Sequence, residues 1–189
     1  MKRKCSIPTP LGEMDAMVEQ DSLCGLWFAG QKYEPEIAPD WVEDPDHSVF
    51  VALRRQLDAY FAGKLRLFDL PVALRGTPFQ MAVWALLRSI PAGATTTYGS
   101  LARQLAECRE GRIPSAQAVG GAVGHNPVSI IIPCHRVVGA NGSLTGYAGG
   151  LDRKAALLSW RAPGDTFRQC RNAFASRVHL RAGVDRIAS

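Results

Sequence analysis

No stretch of this 189-residue chain approaches the roughly 20 consecutive apolar residues that a membrane-spanning helix needs. The basic start Met1-Lys2-Arg3-Lys4 is followed by no apolar run of the kind that drives secretion, so a cytoplasmic location is expected. Cysteine is sparse and odd in number: Cys5, Cys24, Cys108, Cys134 and Cys170 are scattered without regular spacing. That pattern argues against a disulfide framework and suits reduced thiols. A compact zinc motif is also missing, since none of the four histidines stands near Cys5 or Cys24. No metal is expected. Acidic residues are scarce after residue 75. Residues 1–75 hold 9 Lys/Arg and 12 Asp/Glu, a net −3, whereas residues 97–161 hold 7 and 3, a net +4. The positive field is therefore concentrated in the second half, which suits an anionic partner such as DNA.

What is present is 47% hydrophobic and 21% charged sequence, ample for the core of one domain or two small ones. After the turn cluster Pro8-Thr-Pro-Leu-Gly12, Met14, Ala16 and Val18 alternate with polar residues as in a half-buried strand. Asp21-Ser22 turns the chain into a second strand, Leu23 to Phe28. Glu34 to Pro45 reads as an acidic, proline-rich loop. From His47-Ser48 onward, Phe50, Leu53, Leu57, Tyr60 and Phe61 recur at helical spacing up to Gly63. Leu65 to Leu74 reads as extended chain returning to the sheet. The second half opens on Thr77-Pro78, an N-cap followed by proline at the first helical position. Phe79, Val83 and Leu87 line one face of that helix, and Pro91-Ala-Gly93 ends it. Thr95-Thr-Thr97 is strand-like. Leu101, Ala102, Leu105 and Ala106 mark a second helix, and Ser115 caps a third over Ala116 to about Val123.

That third helix carries Gly120, Gly121 and Gly124 among alanines. Each interior glycine costs about 1 kcal/mol, so close approach of another backbone or tight packing on the preceding helix must compensate. Two helices joined by a turn in the basic half are similar to a helix-turn-helix. Downstream, Val128-Ser-Ile-Ile-Ile132 is a β-branched run that predicts a buried strand stopped by Pro133, with Cys134 and His135 presented at its mouth. Cys134 is either a nucleophile, since the thiolate is the reactive form, or a buried structural cysteine. Gly139-Ala-Asn-Gly142 predicts a hairpin turn, and Asp152 is placed to cap a last helix through Leu157, Leu158 and Trp160.

Tyr98-Gly99, Ser115-Ala-Gln-Ala-Val-Gly-Gly121, Asn126-Pro127, Ile132-Pro-Cys-His-Arg-Val137 and Gly146-Tyr-Ala-Gly-Gly150, in that order, closely resemble the O6-alkylguanine-DNA alkyltransferases, also called methylated-DNA–protein-cysteine methyltransferases. The resemblance implies an α/β ribonuclease-H-like lobe over 1–75 and a mainly α, winged helix-turn-helix-like lobe over 76–161 that carries the active cysteine. Residues 162–189 form an atypical basic tail. The implied partner is double-stranded DNA containing O6-alkylguanine, bound by a protein that needs no cofactor and no membrane. The base is flipped out. Cys134 attacks the alkyl carbon once and irreversibly, His135 passes the thiol proton to water, and Asn126 fixes the turn leading to the site. Tyr98 rotates the phosphate and hydrogen-bonds near the base. Ser115, Ala116, Gln117, Gly120 and Gly121 enter the minor groove. Tyr98, Val137, Tyr147, Ala148 and Gly149 wall the base pocket. Nothing marks an oligomer interface, and a monomer is expected.

Two positions depart from the family pattern. Gln117 stands where many members carry an intercalating arginine, and Arg161 stands where a glutamate usually completes a Cys-His-water-Glu relay. Two other functions are compatible with parts of the sequence. A non-catalytic binder of alkylated DNA would use the same helix, but such relatives usually lack the cysteine. A thiol hydrolase would need a histidine across the cleft, and His135 is the immediate neighbour of Cys134 instead.

Overall fold

The computed structural model describes residues 1–36, 38, 40–109 and 112–159. Its first lobe is built on an antiparallel meander of β1 (Lys2–Ile7), β2 (Met14–Glu19) and β3 (Ser22–Phe28), with the short β4 (Val42–Glu43) parallel to β1. The spatial order is β3-β2-β1-β4. Alternation decides the faces: Ile7, Met14, Ala16, Leu26 and Phe28 point to the core. Gln20 and Asp21 form the tight β2–β3 turn with φ of 51° and 57°, the two positive values of a type I′ hairpin, without a glycine. Helix α1 (Ser48–Phe61) covers the sheet, burying Val49, Phe50, Leu53, Leu57 and Tyr60 at helical spacing. Its cap is His47. Nδ1 accepts from the Val49 N–H, which leaves Nε2 to donate to Asp21.

In the second lobe, α2 (Pro78–Arg88) begins with a full capping box between Thr77 and Gln80. Helices α3 (Tyr98–Arg109) and α4 (Ala116–Gly124) pack on it and on each other, and α5 (Leu151–Ser159) closes the lobe. The Trp84 indole N–H donates to the Ala122 carbonyl at 2.9 Å and pins α4 to α2. The strands β5 (Thr96–Thr97) and β6 (Val137–Val138) pair in parallel. Asp152 falls in the first turn of α5 and not at its cap, because the helix starts two residues earlier than the sequence suggested. At Gly139–Gly142 the turn forms, with the Gly142 N–H donating to the Gly139 carbonyl, but the chain beyond it pairs into no strand.

The two lobes share the outer edge of β3. Leu23 brackets Val72 through bonds to Pro71 and Ala73, and Leu26 brackets Val128 through bonds to Pro127 and Ser129, all at 2.8–3.0 Å. Leu65–Leu74 thus returns to the sheet at a single bridge. One continuous core runs from Phe28 and Phe50 through Val128, Ile130 and Ile132 to Cys134. No helix among the described residues is long and apolar enough to cross a membrane.

Candidate active site

The strand expected over Val128–Ile132 is not there. After the single bridge at Val128, the chain folds through two consecutive three-residue turns. The Ile131 N–H donates to the Ser129 carbonyl at 2.9 Å around Ile130, whose φ is +72°. The Cys134 N–H donates to the Ile132 carbonyl at 2.8 Å around Pro133, at φ −81° and ψ 59°. The second is an inverse γ-turn; the first carries a β-branched residue in the left-handed region, a strained arrangement that surrounding structure must hold. The β-branched run is buried as predicted, but its isoleucines wedge a turn into the core and line no sheet.

Asn126 holds that turn together. It is 3% exposed, its Oδ1 accepts from the Val128 N–H at 3.0 Å, and its Nδ2 donates to the Ile132 carbonyl at 2.8 Å. The same Nδ2 lies 3.0 Å from Cys134 Sγ. One amide therefore closes the loop and donates to the thiol. Cys134 and His135 stand in the 3₁₀ turn Cys134–Arg136, with exposures of 5% and 1%. Burial pushes the Cys134 thiol up to about 11, against the Asn126 hydrogen bond and the Lys154 charge, which both pull it down. Burial, with the charges of Arg136 and Lys154, holds His135 down at about 3. The resting pair is a neutral thiol beside a neutral imidazole. His135 Nδ1 is buried without a hydrogen-bond partner among the described residues.

Lys154 was not apparent from sequence, where Asp152-Arg-Lys154 reads as a solvated helix face. Its side chain is fully buried, and its Nζ donates to the carbonyls of Val137 (2.5 Å) and Thr145 (2.6 Å). Its charge pulls the Cys134 thiol down, which His135, being neutral, does not. The only available signal was its place three residues before the buried Leu157, on one helix face. Arg136 is the other omission. It donates to the Ile90 carbonyl at the end of α2 at 2.7 Å and bonds to the Tyr60 hydroxyl, fixing the far side of the 3₁₀ turn.

Tyr98 sits where α4 meets the 145–149 loop. Its hydroxyl donates toward the carbonyls of Thr145 and Gly146 at 3.1 and 3.0 Å, and its ring lies 3.8 Å from the point a Cβ on Gly120 would occupy. Tyr147 turns inward, its hydroxyl buried beside Ser129 without a hydrogen bond of good geometry. Burial, and then the neighbouring Cys134, push both phenols up. The Ala148 carbonyl accepts from the Lys32 N–H at 3.1 Å, and the Gly149 carbonyl accepts from Arg153. The Val137 side chain is fully buried and its carbonyl already accepts from Lys154, so any reading of a base there shares that acceptor. On α4, Ser115, Ala116, Gln117 and Gly121 are exposed and Gly120 is half-buried. A Cβ on Gly121 would meet nothing within 4 Å. Packing on the neighbouring helices therefore does not require that glycine. Arg161 and the tail lie outside the described residues.

The family pattern described as the DNA binding domain of 6-O-methylguanine DNA methyltransferase matches residues 78–162, and that of its ribonuclease-like domain matches residues 3–74. The chain belongs to the 6-O-methylguanine DNA methyltransferase family. The methylated-DNA–protein-cysteine methyltransferase of Mycobacterium tuberculosis is 46% identical over 163 residues, 85% of this chain and 94% of its own. That of Methanosarcina acetivorans is 44% identical over 150 residues, 79% and 92% of the two chains. A crystal structure of the M. tuberculosis protein in complex with DNA superposes with a TM-score of 0.74 at 43% identity, covering 88% of this chain and 97% of that one. The O6-methylguanine DNA methyltransferase of Methanococcus jannaschii gives 0.58 at 27% identity, covering 82% and 92%. An α/β ribonuclease-like lobe followed by a mainly helical DNA-binding lobe is thus the methyltransferase architecture of this chain.

Proposed function

We propose that this methyltransferase repairs O6-alkylguanine in double-stranded DNA by moving the alkyl group to Cys134, once per molecule. The observation that carries the reading is the Asn126 amide 3.0 Å from the Cys134 sulfur, in a turn whose every anchor serves to hold that sulfur. The exposed face of α4 enters the minor groove, with Gln117 filling the gap left by the flipped nucleotide and Ser115, Ala116, Gly120 and Gly121 allowing close approach. Tyr98, Val137, Tyr147, Ala148 and Gly149 wall the pocket.

The sulfur–carbon bond forms as the carbon–O6 bond breaks. The thiol proton passes to the neutral His135 imidazole and on to water, and the departing guanine takes a proton from Tyr98, which water restores. Deprotonating a thiol at about 11 at neutral pH costs roughly 5 kcal/mol, so the resting site is unreactive toward solvent electrophiles. That cost already includes the lowering by Asn126 Nδ2 and Lys154, without which it would be greater still. The product is a thioether that no group in the site can cleave, and no cofactor enters the reaction. Arg161, in place of the usual glutamate, leaves Lys154 as the principal charge behind the thiolate. The chain acts as a monomer in the cytoplasm, where its thiols stay reduced; residues 1–75 serve as scaffold and 76–161 carry the chemistry.

A non-catalytic lesion binder would keep α4 but have no use for the Asn126–Cys134 contact. Intact mass after mixing with a duplex bearing one O6-methylguanine separates the two. The wild type gains one methyl and Cys134→Ala gains none; lesion binding with no mass change in the wild type would make the binder the correct reading.

A further inference from the structure

Behind the catalytic turn, on the side away from α4, the two lobes leave a cavity of about 120 Å³. Its floor is the back of the turn, Ile130 and Pro133, with Tyr60 from α1. Three arginines from three different elements line it: Arg66 from the segment after α1, Arg88 from the last turn of α2, and Arg136 from the 3₁₀ turn itself. No carboxylate lines it. None of the three arginines belongs to an ion pair among the described residues.

Arg66 and Arg88 are exposed, and alone they would be ordinary surface charges. Arg136 is different: it is half-buried, and its hydrogen bonds go to the neutral Ile90 carbonyl and Tyr60 hydroxyl. A partly desolvated charge without a countercharge is unfavourable, and an anion in reach recovers that cost. Guanidinium forks converging from several directions suit a tetrahedral, multiply charged oxyanion better than a planar carboxylate. The cavity has room for one phosphoryl group.

We propose that this cavity binds a phosphate group, held by Arg66, Arg88 and Arg136, which ties the first lobe and the end of α2 to the back of the cysteine turn. The phosphate belongs either to DNA outside the lesion site or to a free phosphorylated small molecule. Binding opposes the Arg136 charge, one of the influences that keep the adjacent His135 neutral, and so connects the cavity to the reactive pair.

Inorganic phosphate is titrated into the full-length protein at constant ionic strength, beside the variant R66Q/R88Q, which keeps Arg136 and its bonds. The wild type shows a saturable rise in melting temperature that the variant lacks, while the two agree in melting temperature without phosphate and in methyl gained from O6-methylguanine duplex. An equal rise in both proteins, or a wild-type rise no larger than chloride gives, overturns the proposal. Should the double variant fail to fold, R88Q alone shows a weakened rise; an undiminished one counts against the site. Affinity for undamaged duplex then separates the sources. A loss in R66Q/R88Q with a shallower salt dependence, by about 0.9 in log–log slope per lost contact, assigns the phosphate to DNA. Unchanged affinity with the phosphate effect abolished assigns it to a free phosphorylated molecule.

Discussion

His135 illustrates how a single buried group ties the site to the stability of the whole chain. Its value in the folded protein, about 3, lies below the ordinary 6.5 because burial disfavours the imidazolium. Protons therefore bind the unfolded chain more readily, and the stability associated with neutral His135 is complete above pH 6.5 and is lost as pH falls toward 3. The slope from this one group reaches about 1.4 kcal/mol per pH unit inside that window. Urea unfolding of the wild type and of His135→Gln at pH 7.5, 6 and 5 should show the difference between them shrinking as pH falls, the variant being the less sensitive to acid. Parallel pH dependence of the two proteins would mean that His135 titrates alike in the folded and the unfolded chain. Neither this value nor the burial of Lys154 was legible in the sequence. Depth of burial depends on how Val137, Thr145 and α5 come together across distant segments, and local pattern does not carry that information.

At the level of elements, the sequence was most legible where local chemistry decides. The Thr77-Pro78 start of α2, the Ser115 cap of α4 and the spacing of α1 all depend on residues within one or two turns, and each formed where the pattern placed it. The Cys134 turn was misread because Ile130-Ile-Ile132 has the composition of a strand, while a residue four positions before the run, Asn126, takes the backbone groups a strand would have offered to a neighbour. Helix α4 poses the opposite conflict: its glycines oppose helix formation, and the fold does not demand them at every position. The Gly121 Cβ position opens on empty space, so Gly121→Leu should raise the melting temperature through a helix-propensity gain of up to about 1 kcal/mol. The same leucine stands on the face proposed to enter the minor groove, and DNA affinity should fall by roughly tenfold, equivalent to about 1.4 kcal/mol. Thermal melts and fluorescence anisotropy on one sample check both signs. A variant more stable and equally tight on DNA would place the interface elsewhere.

Across the whole molecule, the first lobe carries none of the residues proposed to react, yet it touches the Cys134 turn, the end of α4, the 145–149 loop and α5. Besides the two bridges along β3, Ser129 donates to the buried Gln31, and Tyr33 stacks on His125 at the end of α4 with ring centroids 4.0 Å apart. Arg153 on α5 completes the clasp: Nε donates to the Leu11 carbonyl at 2.9 Å, a terminal nitrogen donates to Gly149, and the guanidinium lies 4.6 Å from the centre of the Phe28 ring. With one core running through both lobes, neither has a closed hydrophobic surface of its own, and the protein should unfold in a single step. Arg153→Met keeps much of the apolar stem but removes two hydrogen bonds and the cation–π contact, a loss of about 2–3 kcal/mol. The expected result is a uniform shift: indole fluorescence, to which Trp27 and Trp41 of the first half of the sequence and Trp84 and Trp160 of the second contribute, and helix content by circular dichroism should move together to lower urea. Two separated transitions, with helix content surviving the first, would show that the lobes are independent and that the clasp orders only the loop carrying Tyr147 and Gly149. Coincident curves would mean that the stability of the ribonuclease-like lobe is transmitted directly to the turn that holds Cys134, which is the most direct reason for a repair protein to carry a lobe without chemistry.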